Sequence, residues 1–266
     1  MKYKILLSAL LCTSLFSCKK DKDNPAPSAE SKCYVKSVSY SEDDQTYQLY
    51  LTQIRSQDGQ IAEFTYADDS DLSSSQIKYA KAVLSDKYII GSLFDKNKNP
   101  FGINDTIWIN EKKLPLKAVE HYIFDNGTMI IDRTDYYYEN DLLVKTITQR
   151  TDNGEPSERV KLFTYTNGNC SQTREFENKE GIEIPDTTFV EFEYYLDKPA
   201  QKELMYEFGN PGKYLIKSVV ETRKGRFQYK HSVNYTYEIN TDGLVTKQTV
   251  ERDGELYFTK YDYTCQ

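Results

Sequence analysis

Hydrophobic and polar positions alternate most cleanly from Arg226 to Ile239, in the run R-F-Q-Y-K-H-S-V-N-Y-T-Y-E-I. Phe227, Tyr229, His231, Val233, Tyr235, Tyr237 and Ile239 fall on one side of a strand, because successive strand side chains point to opposite faces. On a helix the same residues would scatter around the circumference. The stretch therefore predicts a β-strand, half-buried in an antiparallel sheet that is wet on its other side. Weaker versions of the pattern fill much of the chain.

Tyr34 to Tyr40, Thr46 to Ser56 and Gln60 to Ala67 also read as strands, separated by the turn-formers Ser41 to Asp44 and Gln57 to Gly59. Residues 72–90 can be read two ways. Ser73 could cap a helix through Ala82, whereas Ile77, Tyr79 and Tyr88 to Leu93 suit strands, and continuity favours strands. Phe94 to Asp105 is rich in Gly, Pro and Asn and reads as a loop before the strand Thr106 to Asn110.

From Ile123 onward a repeat emerges. Tyr136-Tyr137-Tyr138-Glu139 precedes Asn140-Asp141-Leu142-Leu143-Val144, and Phe163-Thr164-Tyr165 precedes Asn167-Gly168. Phe192-Glu193-Tyr194 precedes Asp197-Lys198-Pro199, Tyr235-Thr236-Tyr237-Glu238 precedes Asp242-Gly243-Leu244-Val245, and Tyr261-Asp262-Tyr263 follows. The second aromatics stand at 138, 165, 194, 237 and 263, so one unit is a strand, a turn and a returning strand. The widest gap predicts an extra hairpin around Gly209 to Gly212.

The first residues have a different character. Lys2 and Lys4 precede an apolar run, Ile5 to Phe16, which is too short to span a bilayer as a helix. It ends in Leu15-Phe16-Ser17-Cys18, which resembles the lipobox read by the bacterial lipoprotein signal peptidase. The resemblance implies cleavage after residue 17 and a diacylglycerol thioether on Cys18, an anchor stable enough to hold a protein at a membrane. Residues 18–32 then form a charged, Pro-containing tether.

The units Y-T-Y-E-x4-G-L-V and Y-Y-Y-E-N-D-L-L-V resemble YD-type repeats, and lipobox, tether and Tyr-rich meander together resemble Bacteroidetes lipoproteins with a porin-like β fold. The resemblance implies an outer-membrane lipoprotein, on the periplasmic face or the cell surface. It supplies no catalytic residue. The expected fold is all-β: one long antiparallel meander of hairpins over 33–266, forming a closed or nearly closed soluble, barrel-like sheet with its aromatic face inside. A lipid-facing outer surface is not expected, since Tyr235 and His231 sit mid-strand on the apolar face where lipid favours Leu, Val or Phe.

Charge and chemistry narrow the function further. The formal net charge is −7, which disfavours a nucleic-acid partner. Removing residues 1–17 takes away two lysines and no acid, giving −7 − 2 = −9. Asp68-Asp69-Ser70-Asp71 invites a calcium reading, but Ser74 and Ala80 stand where that loop template needs Gly and Glu, so a solvated turn is expected. No metal or cofactor is expected. His121 and His231 read as packed residues, and no nucleophile elbow, zinc motif or phosphate loop occurs.

Trp108 shares a strand face with Thr106 and Asn110, opposite Ile107 and Ile109. It could stack on a sugar or grip a partner, although a Trp covered by a neighbouring loop is the favoured reading. Tyr136 and Tyr138 join it as candidate binding residues. Thr106 and Thr187, in Asp105-Thr106-Ile107 and Asp186-Thr187-Thr188, resemble Bacteroidetes O-glycosylation signals. Among Cys33, Cys170 and Cys265, a closed sheet would make the first and last strands neighbours and pair Cys33 with Cys265. The expected role is a membrane-anchored binding module for a glycan, peptide or envelope partner, and not an enzyme. A carrier of an apolar ligand and a carboxylate-based glycoside hydrolase are the alternatives.

Overall fold

The computed structural model describes residues 33–55, 61–66, 79–95, 97–112, 114–124, 127–152, 154–179, 182–201 and 213–265. The expected signal segment, Cys18 and the expected tether, the Asp68–Asp71 turn, residues 72–78 and the hairpin expected near Gly209 lie outside these. Among the described residues there are sixteen strands. They are β1 Cys33–Ser41, β2 Gln48–Arg55, β3 Ile61–Tyr66, β4 Tyr79–Leu84, β5 Tyr88–Phe94, β6 Pro100–Ile109, β7 Pro115–Ile123 and β8 Met129–Glu139. The chain continues with β9 Leu142–Asp152, β10 Glu155–Thr166, β11 Asn169–Lys179, β12 Ile182–Pro199, β13 Tyr214–Lys224, β14 Tyr229–Ile239, β15 Val245–Arg252 and β16 Glu255–Cys265.

Every strand pairs antiparallel with its sequence neighbours, and β1 pairs with β16, so the meander closes into a barrel. Closure removes the exposed edges that sixteen long strands would otherwise present. Cys33 stands opposite Cys265 in the closing register, with Cα atoms 3.9 Å apart, and the two form a disulfide. Cys170 is a buried free thiol whose pKa burial pushes up to about 11.

Local chemistry explains the regular hairpins. Asn140-Asp141 and Asn167-Gly168 adopt positive φ at both positions, the geometry of the two-residue turns that match strand twist. Asp253-Gly254 does the same between β15 and β16. In β14 the expected alternation is present: Tyr229, His231, Val233, Tyr235 and Tyr237 are half-buried, while Lys230, Ser232, Asn234, Thr236 and Glu238 are exposed. The apolar set faces the interior and the polar set faces out, the reverse of a lipid-embedded barrel.

Three local expectations are corrected. β6 starts at Pro100, so of the expected loop only Asp95 and residues 97–99 lie in a turn among the described residues; a proline is tolerated at a strand's first residue. The strand expected from Arg226 begins at Tyr229 instead. The Arg226 N–H donates to Asp186 Oδ1 at 2.6 Å, turning the chain and leaving Phe227 71% exposed. Gly225, at φ +131, makes this close approach possible, since a Cβ there would lie 2.8 Å from the Asp186 Cα. Finally, Asp197 to Pro199 do not turn but extend the 18-residue β12. Residues 79–84 and 88–90 are strand, in line with the continuity argument.

Candidate functional site

The inner face divides into two belts. Near the turns that join β8 to β9, β10 to β11 and β14 to β15 it is apolar, with Leu143, Phe163, Cys170, Phe192 and Ile216 buried against a ring of tyrosines. Each of these hairpins, and that of β12 and β13, carries a register shift, at Leu143, Cys170, Ile216 and Val245. A tyrosine from the next hairpin answers each one. Tyr165 donates to the Leu143 carbonyl (3.0 Å), Tyr194 to Cys170 (2.7 Å), Tyr237 to Ile216 (2.9 Å) and Tyr263 to Val245 (2.7 Å). A bulge leaves a buried carbonyl without its ladder partner, and the hydroxyl supplies one. Burial raises the pKa of Tyr165, Tyr194 and Tyr237, keeping these donors protonated. The four tyrosines are four of the five aromatics that mark the sequence repeat.

Toward the opposite mouth the inner face is charged. Arg150 binds Asp132 through Nε at 2.7 Å and through Nη2, and Arg159 and Lys161 each lie 3.6 Å from Glu175. The Asp132 contact raises the Arg150 pKa further. Asp105 is 1% exposed; its Oδ1 accepts from the His121 N–H at 2.8 Å and meets Nδ1 at 3.1 Å. Asp105 Oδ2 has no partner, and burial holds the carboxyl above the usual carboxylate range. His231 lies beside Tyr229, with ring centroids 5.0 Å apart, and 3.5 Å from Asp253. Among the described residues no cluster of three His, Cys, Asp or Glu could hold a metal ion.

The outer face treats its aromatics differently from place to place. Lys145 sits over Tyr137 at 5.4 Å, Arg174 over Phe176 at 4.9 Å, Lys224 over Phe189 at 5.0 Å and Lys247 over Phe258 at 5.1 Å. Such cations cover the ring and keep that surface hydrated. Tyr88 and Trp108 are the exception. They are direct cross-strand partners on β5 and β6, 39% and 38% exposed, and no cation covers either among the described residues. The register carries the row on to Lys117 of β7 and Asp135 of β8. Val83 of β4, 61% exposed, stands opposite Ile90 in the neighbouring row.

Among the described residues no loop covers Trp108, which stays 38% exposed; Thr106 shares its face, and Ile107 and Ile109 are buried opposite, as the alternation requires. Tyr136 and Tyr138 do not join it. Both are half-buried against the inner clusters, because Ile130, Asp132 and Thr134 of the same parity point inward. Thr187 is 6% exposed, so the folded barrel offers its hydroxyl no room for a sugar, whereas Thr106 is half-buried beside the platform. Sequence reasoning missed Tyr88, whose only signal was a strand parity that the pairing with β6 made meaningful.

A crystallised porin-like protein from Bacteroides vulgatus ATCC 8482 is similar in structure, with a TM-score of 0.60 at 12% identity, covering 87% of this chain and 98% of that one. The fold is porin-like. A porin-like protein from Bacteroides uniformis ATCC 8492 is also similar, with a TM-score of 0.48 at 14% identity over 87% of this chain and 98% of its own. No protein-family model matches the chain, and no curated protein is similar to it in sequence. At such identities the likeness concerns the porin-like fold alone. The roles of its faces rest on the residues described above.

Proposed function

We propose that this chain is an envelope lipoprotein, anchored through Cys18, whose barrel holds a partner on its outer face and carries out no reaction. The observation that carries the reading is the bare Tyr88–Trp108 pair on a surface whose other exposed strand aromatic among the described residues, Tyr137, is covered by a cation. Exposed, rigid aromatics anchor partners at low entropic cost. The polar outward set on β14 favours a barrel standing in water over one set in lipid. The lipobox and tether resemblance supports attachment to the membrane, which raises the local concentration of anything the platform binds there. The test compares retention of wild type, Trp108→Ala and Tyr137→Ala on envelopes from cells lacking the protein, alongside fatty-acid labelling of wild type and Cys18→Ala. Trp108→Ala should lose retention while Tyr137→Ala keeps it, and only Cys18→Ala should lose the label. Equal retention of all three proteins would exclude the platform.

A further inference from the structure

The row Tyr88–Trp108–Lys117–Asp135 runs across four adjacent strands, about 14 Å at the usual strand spacing. We infer that it is a carbohydrate subsite, binding a neutral or cationic glycan chain laid across the strands. The inference rests on the platform reading above and names its ligand. Two neighbouring flat rings present an apolar strip that fits the C–H faces of consecutive sugar rings. Sugar hydroxyls lose hydration on binding and need partners at once. Lys117, exposed and without an ion-pair partner among the described residues, offers donors next to Trp108, and Asp135 offers acceptors one strand further.

Other ligand classes fit less well. A peptide that binds by adding a strand needs a sheet edge, and the closed ring has none. A protein partner needs roughly 800 Å² per side, whereas exposures of 39% and 38% leave roughly 60–100 Å² of each ring. Val83, 61% exposed in the neighbouring row, still leaves the patch well below that area. Polyanions meet a net charge of −7.

The chain contains a single Trp, so its fluorescence reports on this row directly. The full-length protein in detergent micelles would be titrated with soluble laminarin, chitosan oligosaccharides and heparin, exciting Trp selectively. A saturable shift of Trp108 emission is expected with laminarin or chitosan and not with heparin. Tyr88→Ala should weaken it at least about tenfold, and Tyr88→Phe, which keeps the ring, by no more than about twofold. Should Tyr88→Ala unfold, Lys117→Ala carries the same comparison with a loss of a few-fold. No saturable shift with either glycan overturns the inference. If a purified envelope protein shifts Trp108 emission where the glycans do not, the ligand class is wrong and the platform stands. If nothing shifts it, both fall.

Discussion

β8 to β16 and β1 to β7 form one ring but are built differently. Most strands of the first group have 11 residues, and three of its turns have both central residues at positive φ. At four of its bulges the inner carbonyl is bound by a tyrosine. Strands β1 to β7 have 6 to 10 residues, and the buried cluster of β5 to β7 is aliphatic: Ile89, Ile107, Ile109 and Ala118. The regular arc repeats one solution to the bulge and shields its outer rings with cations. The irregular arc holds both the bare Tyr88–Trp108 pair and the buried Asp105. Regularity serves closure, and the departures from it concentrate the unusual chemistry.

The disulfide joins the two arcs, so its removal should have the largest effect. Cys33→Ser with Cys265→Ser reopens a loop of 232 residues, for which chain entropy gives about 5 kcal/mol. Denaturant melts of the oxidised, reduced and substituted proteins should show this loss. Identical midpoints would mean that hydrogen bonds between β1 and β16 close the ring alone.

The tyrosine device comes next. Tyr237→Phe deprives the Ile216 carbonyl of its 2.9 Å donor and should cost about 1–3 kcal/mol. Tyr88→Phe, on the open face, should stay within about 0.5 kcal/mol. Equal costs would erase the distinction between the arcs.

The smallest effect concerns Asp105. Burial raises its folded pKa, so the folded chain keeps a proton that the unfolded chain releases near about pH 4. Its contribution to stability therefore falls as pH rises from that value through the raised one. Asp105→Asn keeps an acceptor for the His121 N–H and has no proton to lose. Its melting temperature should gain on wild type across that window, and parallel pH profiles would refute the role of Asp105.

The amount legible in sequence followed the same division. The 226–239 alternation and the repeated aromatic–turn units predicted the strands of the regular arc, because period and turn chemistry are local. The irregular arc was harder. Gly, Pro and Asn in residues 94–105 signal a loop locally, yet pairing with β5 draws Pro100 onward into the sheet and buries Asp105. The repeat tyrosines were visible as a spacing, but not as donors, because each acceptor lies 18 to 24 residues away on another hairpin.

By itself the sequence determined the all-β class, the inward aromatic and outward polar faces, and the recurrence of hairpins, since each depends on neighbours within a few residues. Cys33, Cys170 and Cys265 left the pairing to the geometry of closure. Only the tertiary structure decided which rings stay bare. Trp108 and Tyr88 are 20 residues apart in sequence and meet only through the register of β5 on β6, while the cations that cover other rings come from adjacent positions in the closed sheet. Exposure belongs to the assembled surface, and no local pattern encodes it.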